Sequence, residues 1–187
     1  MAVQVGEKTV QNYLLETTNP GGHSSVPRPD NAIYSLTAAV TKVGQYEFPI
    51  QVSDTTRTFF QRTAELTGGE MGKALTAVLA NPDDKAADAI VSKDASFHSM
   101  LRTTCVATML DAGHAMNALP QRARAVVNCR VFPGVSVDTV KAELDRIIGD
   151  PSVAVTKIEP IRPMAVPPPL SPKGFGPAEK LAAKHFP

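Results

Sequence analysis

Ala123-Arg124-Ala125-Val126-Val127-Asn128-Cys129-Arg130-Val131 alternates with a period of two. Ala125, Val127, Cys129 and Val131 fall on one face, and Arg124, Val126, Asn128 and Arg130 on the other. A strand that is apolar on one face only belongs to a sheet covered on one side, as antiparallel sheets commonly are. A second strand candidate, Arg102 to Leu110, lies just upstream, and its Cys105, Ala107 and Met109 would make the matching apolar face. The connection Asp111-Ala112-Gly113-His114-Ala115-Met116-Asn117-Ala118-Leu119-Pro120 is long for a hairpin and rich in polar groups. A symmetric hairpin sets Cys105 and Cys129 almost opposite each other. Two cysteines do not make a disulfide framework and no Cys-x-x-Cys pair occurs, so they are expected to be reduced neighbours packed as small apolar groups.

Working outward, Lys8 to Thr18 reads as a strand and ends at Asn19-Pro20. Pro29-Asp30-Asn31 supplies helix-start chemistry. Ile33, Leu36, Val40 and Val43 then form one apolar stripe that stops near Gly44. Downstream, Ser136 caps a second helix with the stripe Val137, Val140, Leu144, Ile147 and Ile148, closed by Gly149-Asp150-Pro151, and Val153 to Glu159 makes a last strand. From about Phe48 to Met100 the pattern changes to short helical pieces, Thr56 to Leu66, Glu70 to Ala80, and Asp83 to about Lys93. The rest forms a consistent small unit without them, so this stretch reads as a helical insertion. The resulting order predicts an α+β, ferredoxin-like fold: a four-stranded antiparallel sheet with two helices on one face, plus the insertion.

Residues 1–160 would form this domain. Half of the 16 prolines lie between Pro160 and Pro187, including Pro167-Pro168-Pro169, so residues 161–187 read as a proline-rich linker. A helix pattern begins at Pro177 and runs to Phe186, which suggests a piece of a longer protein.

A 43% apolar composition over 187 residues supports a real core. The net charge of +1, with interspersed signs and 5% aromatic residues, offers neither a phosphate track nor a stacking platform, so nucleic acid is not an expected partner. No apolar run is long enough to span a bilayer, no polybasic anchor occurs, and the first residues, Met1 to Lys8, lack a signal-peptide core, which leaves open an earlier, removed signal sequence and a parent that is cytoplasmic or exported. The chain reads as a soluble globule without a membrane partner.

Chemistry concentrates at Asn19-Pro20-Gly21-Gly22-His23-Ser24-Ser25-Val26, where a titratable ring sits on a glycine hinge beside two hydroxyls. Taken alone, Pro-Gly-Gly is first a turn signal. The other histidines, His98, His114 and His185, make no His-x-Asp or His-Glu-x-x-His pattern, so no metal site is expected in this chain. Gly-x-Ser-x-Gly and Walker patterns are also absent. His23, Asn117 on the hairpin loop and Arg130 on the open face remain as three polar stations. Arginine grips carboxylates in a fork, and His or Asn can donate to an oxygen, so these types suit an anionic group or a developing oxyanion. None is a nucleophile.

Gly21-Gly22-His23-Ser24-Ser25 before the Pro-Asp-Asn-Ala-Ile helix start, Arg102-Thr103-Thr104, Gly113 through Asn117-Ala118-Leu119-Pro120, and Asn128-Cys129-Arg130-Val131-Phe132-Pro133-Gly134 occur together here. The combination resembles the dimerisation, or lid, domain of the aminoacylase and carboxypeptidase family of zinc metallopeptidases. That family includes carboxypeptidase G, succinyl-diaminopimelate desuccinylase and carnosinase, and the wording is nearest its carboxypeptidase S-like branch. The resemblance implies a homodimer formed through this domain, by an edge strand and the first helix, and a zinc exopeptidase or amidohydrolase acting on peptides or N-acyl amino acids. It implies that His23 steadies the oxyanion in the partner's site and that Asn117 and Arg130 contact substrate. Two zinc ions and their ligands would belong to a separate catalytic domain of the parent chain, leaving this fragment inactive alone. The alternative is a free-standing ferredoxin-like regulatory module that binds a small carboxylate.

Overall fold

The computed structural model describes residues 4, 6–166 and 169–185. Pro167, Pro168 and Phe186, assigned above to the linker and its terminal helix, lie outside the described residues. Two compact units are present. Lys8–Phe48 and Thr103–Ala165 make the sheet unit, and Pro49–Arg102 with the described terminal residues makes the helical unit.

The sheet unit contains β1 (Thr9–Thr18), β2 (Gly22–His23), α1 (Ala32–Gln45), β3 (Thr104–Ala112), β4 (Ala118–Leu119), β5 (Arg122–Val131), α2 (Val137–Ile148) and β6 (Val153–Lys157). The main sheet has the order β3-β5-β1-β6 with every neighbour antiparallel, the expected ferredoxin-like arrangement. Helix α1 starts where Asn31 Oδ1 accepts the N–H of Ile33 at 2.9 Å, and buries Ala32, Leu36, Ala39 and Val43. Helix α2 starts at Ser136, whose hydroxyl accepts the N–H of Thr139, and stops at Gly149 in the left-handed conformation. Both stripes meet Tyr13, Leu15, Ala125, Val127, Cys129 and Val155 in one core. Inside it the Tyr13 hydroxyl donates to the Val137 carbonyl at 2.7 Å. Burial, and then the Asp138 carboxylate, push that phenol well above its ordinary value.

Two expectations for the hairpin are corrected. Cys105 and Cys129 are not reduced neighbours but a disulfide, because β3 and β5 place them directly opposite with Cα atoms 4.1 Å apart. Met109 is not on the apolar face. The register slips between Ala107 and Met109, so Met109 faces Val126 on the open side and is 68% exposed, while Leu110 takes the place opposite Ala125.

The segment after β6 is tied to β1. The buried Gln11 amide donates to the Ile158 carbonyl at 2.8 Å and accepts the N–H of Arg162 at 3.1 Å. Thr9 Oγ1 donates to the Pro163 carbonyl and accepts from Ala165 N–H, each at 3.1 Å.

The helical unit holds α3 (Asp54–Thr67), α4 (Gly69–Ala80), α5 (Lys85–Val91), α6 (Ala95–Met100) and α7 (Pro172–His185). Ser53 and Thr56 cap α3 reciprocally. Helix α6 is short and went unread in the sequence, although Asp94 caps it by accepting from Ser96 and Phe97 N–H. Phe60, Leu75, Val78, Val91 and Leu101 form a second core. Gly72 permits close approach of α3 and α4, since a Cβ there would lie 2.5 Å from the Ala64 carbonyl oxygen. Arg102 is 2% exposed and pairs with the buried Asp88, which also accepts from the Ser92 hydroxyl at 2.8 Å. Burial tends to raise the Asp88 carboxyl, but the Arg102 guanidinium and the Ser92 hydroxyl outweigh it and hold it below the ordinary carboxylate range.

Candidate functional site

The glycine loop is shaped before His23 is reached. Asn19 Oδ1 accepts the N–H of Gly21 at 2.9 Å, and the Asn19 N–H donates to the Gln121 carbonyl at 2.9 Å, which pins the loop to the start of β5. Gly21 and Gly22 have φ of 79° and 147°, in the range that favours glycine. The turn closes where Val26 N–H donates to the His23 carbonyl at 3.0 Å.

The hairpin connection meets this loop. Gly22 pairs with Leu119 and His23 with Ala118 in a two-stranded antiparallel ribbon, and Ser24 N–H donates to the Asn117 carbonyl at 3.0 Å. His23 and Asn117, two separate stations in the sequence, thus share one exposed platform at one end of the sheet. On the imidazole, Nδ1 lies 2.8 Å from Ser25 Oγ and accepts the Ser25 N–H at 3.2 Å. Met116 and Val26 beside them are largely exposed.

Arg130 is not brought to this platform. It faces the open side opposite Val10 and Thr104 and is exposed. It lies eight positions along β5 from Arg122, the residue next to the loop, or roughly 26 Å of strand. A two-residue substrate spans only about 7 Å. Between the two, Arg124 pairs with Glu16 at 2.8 Å and Asn128 donates to Asn12 at 2.7 Å.

His114 and His185 are exposed, and His98 Nδ1 lies 2.9 Å from Ser92 Oγ in the helical unit. Among the described residues no three His, Cys, Asp or Glu side chains come together to hold a metal ion. No helix among them is long and apolar enough to cross a membrane. Sequence reasoning missed the ribbon and the part played by Ser25. The only available signal was a hydroxyl pair directly after the histidine.

The class defined by this geometry is an α+β, ferredoxin-like domain with a polar ribbon at one end of the sheet and β3 as an edge strand. The protein belongs to the peptidase dimerisation domain family, which it matches over residues 5–156. It is 29% identical over 188 residues to a Dictyostelium discoideum protein described as "probable carboxypeptidase S-like 2", covering 100% of this chain and 35% of that one. It is 30% identical over 169 residues to the human N-fatty-acyl-amino acid synthase/hydrolase PM20D1, covering 89% of this chain and 33% of that one. The chain therefore spans about a third of the length of these relatives. Among solved structures, human carnosine dipeptidase 1 shares the fold, with a TM-score of 0.50 and 9% identity over 98% of this chain and 44% of that one.

Proposed function

We propose that this chain is the dimerisation and site-completing lid of a zinc-dependent exopeptidase or amidohydrolase that cleaves peptides or N-acyl amino acids. The observation that carries this reading is the joining of His23 and Asn117 on one solvent-exposed ribbon. Hydrolysis of an amide puts negative charge on the carbonyl oxygen. A donor aimed at that oxygen in a water-excluded site is worth about 3 kcal/mol in the barrier. His23 fills that role, and Asn117 holds the substrate beside it. The relatives' names point to the same bond, an amide between an acyl group and an amino acid.

Arg130 supplies the fork for the substrate's carboxylate. Its distance from the ribbon means that one small substrate cannot touch both from a single chain, so the reading needs two. Strand β3 offers the means of pairing. It is a sheet edge beside α1, and Val106, Met109, Leu110 and Tyr34 of α1 are more than half exposed. Two β3 edges related by a two-fold axis would continue one sheet into the next. Among the described residues no three His, Cys, Asp or Glu side chains come together to hold a metal ion, and this reading places zinc on a separate catalytic domain of the parent chain.

The test is His23→Ala in the full-length parent enzyme. The expected result is a kcat lower by about a hundredfold or more with metal content unchanged. Loss of metal, or an unchanged kcat, would reject the role.

A further inference from the structure

The two contacts on His23 Nδ1 fix where its proton sits. Ser25 N–H points at Nδ1 at 3.2 Å, and a backbone N–H can only donate. A protonated Nδ1 could donate to Ser25 Oγ, but it would face the Ser25 N–H head-on and leave that donor without an acceptor. An unprotonated Nδ1 accepts from the Ser25 N–H, and its lone pair can be shared with a hydrogen bond from the Ser25 hydroxyl, whose oxygen is 2.8 Å away. In a neutral imidazole one ring nitrogen donates and the other accepts. With Nδ1 occupied as acceptor, the single ring proton belongs to Nε2.

We propose that Ser25 is a positioning residue that locks His23 as the Nε2–H tautomer, so that the ring presents a hydrogen-bond donor, rather than a lone pair, to whatever lies beyond it. This rests on the reading of His23 as an oxyanion donor, and it supplies what that reading lacks. A histidine in the opposite tautomer would aim a lone pair at an anion and repel it. The turn does the work locally. Val26 N–H on the His23 carbonyl closes the bend that brings Ser25 back to Nδ1, and the Ser24–Asn117 bond ties the next residue to the hairpin connection. The donor is thus set before any partner arrives, its direction held jointly by the N–H and the hydroxyl of Ser25, so that losing the hydroxyl loosens it. Catalysis gains most from such preorganised donors, because nothing needs to rotate as charge develops.

The experiment reads tautomer and activity separately. The 187-residue chain labelled with nitrogen-15 histidine is followed by long-range proton–nitrogen correlation, with the His23 signals identified by their loss in His23→Gln. The expected spectrum shows His23 Nδ1 wholly in the unprotonated range and Nε2 in the protonated range. Shifts averaged between tautomers, or the reverse assignment, overturn the proposal. In Ser25→Ala the Nδ1 signal is expected to move toward the averaged position, and Ser25→Thr to restore it. In the parent enzyme Ser25→Ala should lower kcat by about two- to tenfold, the scale of one hydrogen bond, with KM little changed and Ser25→Thr rescuing. An unchanged kcat in Ser25→Ala also overturns the positioning role. A single Nε2–H tautomer combined with full activity of His23→Ala would instead reject the oxyanion reading and leave the tautomer lock standing.

Discussion

His23 lies on the two-stranded β2–β4 ribbon beyond one end of the main sheet, and Arg130 lies in the main sheet near the opposite end of β5. If both serve one substrate, each must come from a different chain of a dimer. Mixing inactive His23→Ala and Arg130→Ala full-length enzymes should therefore restore activity, since each hybrid dimer carries one site with both groups intact and one with neither. Activity that stays absent although hybrids form would show that the two residues do not share a site across chains.

The disulfide closes a ring between positions 24 residues apart, and that ring encloses the connection bearing Asn117. On chain-entropy grounds such a ring stabilises the fold by about 3.5 kcal/mol. The Cys105→Ser/Cys129→Ser variant is expected to lose roughly that much in urea unfolding. Thiols that react freely in the folded, never-reduced protein would contradict the pairing.

Asp88 and Arg102 form a buried ion pair in the helical unit. Removing one partner leaves an uncompensated buried charge, which costs about 3–5 kcal/mol. Arg102→Met should therefore unfold the helical unit at a lower denaturant concentration, seen as early loss of helical circular dichroism. The pair Arg102→Met/Asp88→Leu should be less damaging than Arg102→Met alone. A double variant as damaged as the sum of the singles would mean that the charges are not coupled.

Tyr46, Glu143 and Arg146 join α1 to α2, with the guanidinium holding Glu143 through two bonds at 2.8 and 2.7 Å. Arg146, and then the Tyr46 hydroxyl, lower the Glu143 carboxyl from 4.5 to about 2. A carboxyl lowered by folding contributes stability fully above its unfolded value and loses it as pH falls through the folded value. Wild type should therefore lose more stability than Glu143→Gln between pH 4.5 and about 2, measured as the shift in urea midpoint. Equal losses would remove Glu143 from the acid response.

Much of this was legible because its causes are local. The alternation from Ala123 to Val131 assigned the faces of β5, Asn31 and Ser136 announced their helices, and strand and helix order gave the ferredoxin-like sheet. Spacing and capping need only near neighbours, so the sequence by itself determined them, along with the residue types at His23, Asn117 and Arg130. The tertiary structure decided what stands opposite what. A one-residue slip turned Met109 outward, and the register joined Cys105 to Cys129. The fold paired Asp88 with Arg102 and set Asn117 beside Ser24, while Arg130 stayed at the far end. Such pairings depend on groups distant in the chain, and a local pattern carries no record of its future partner.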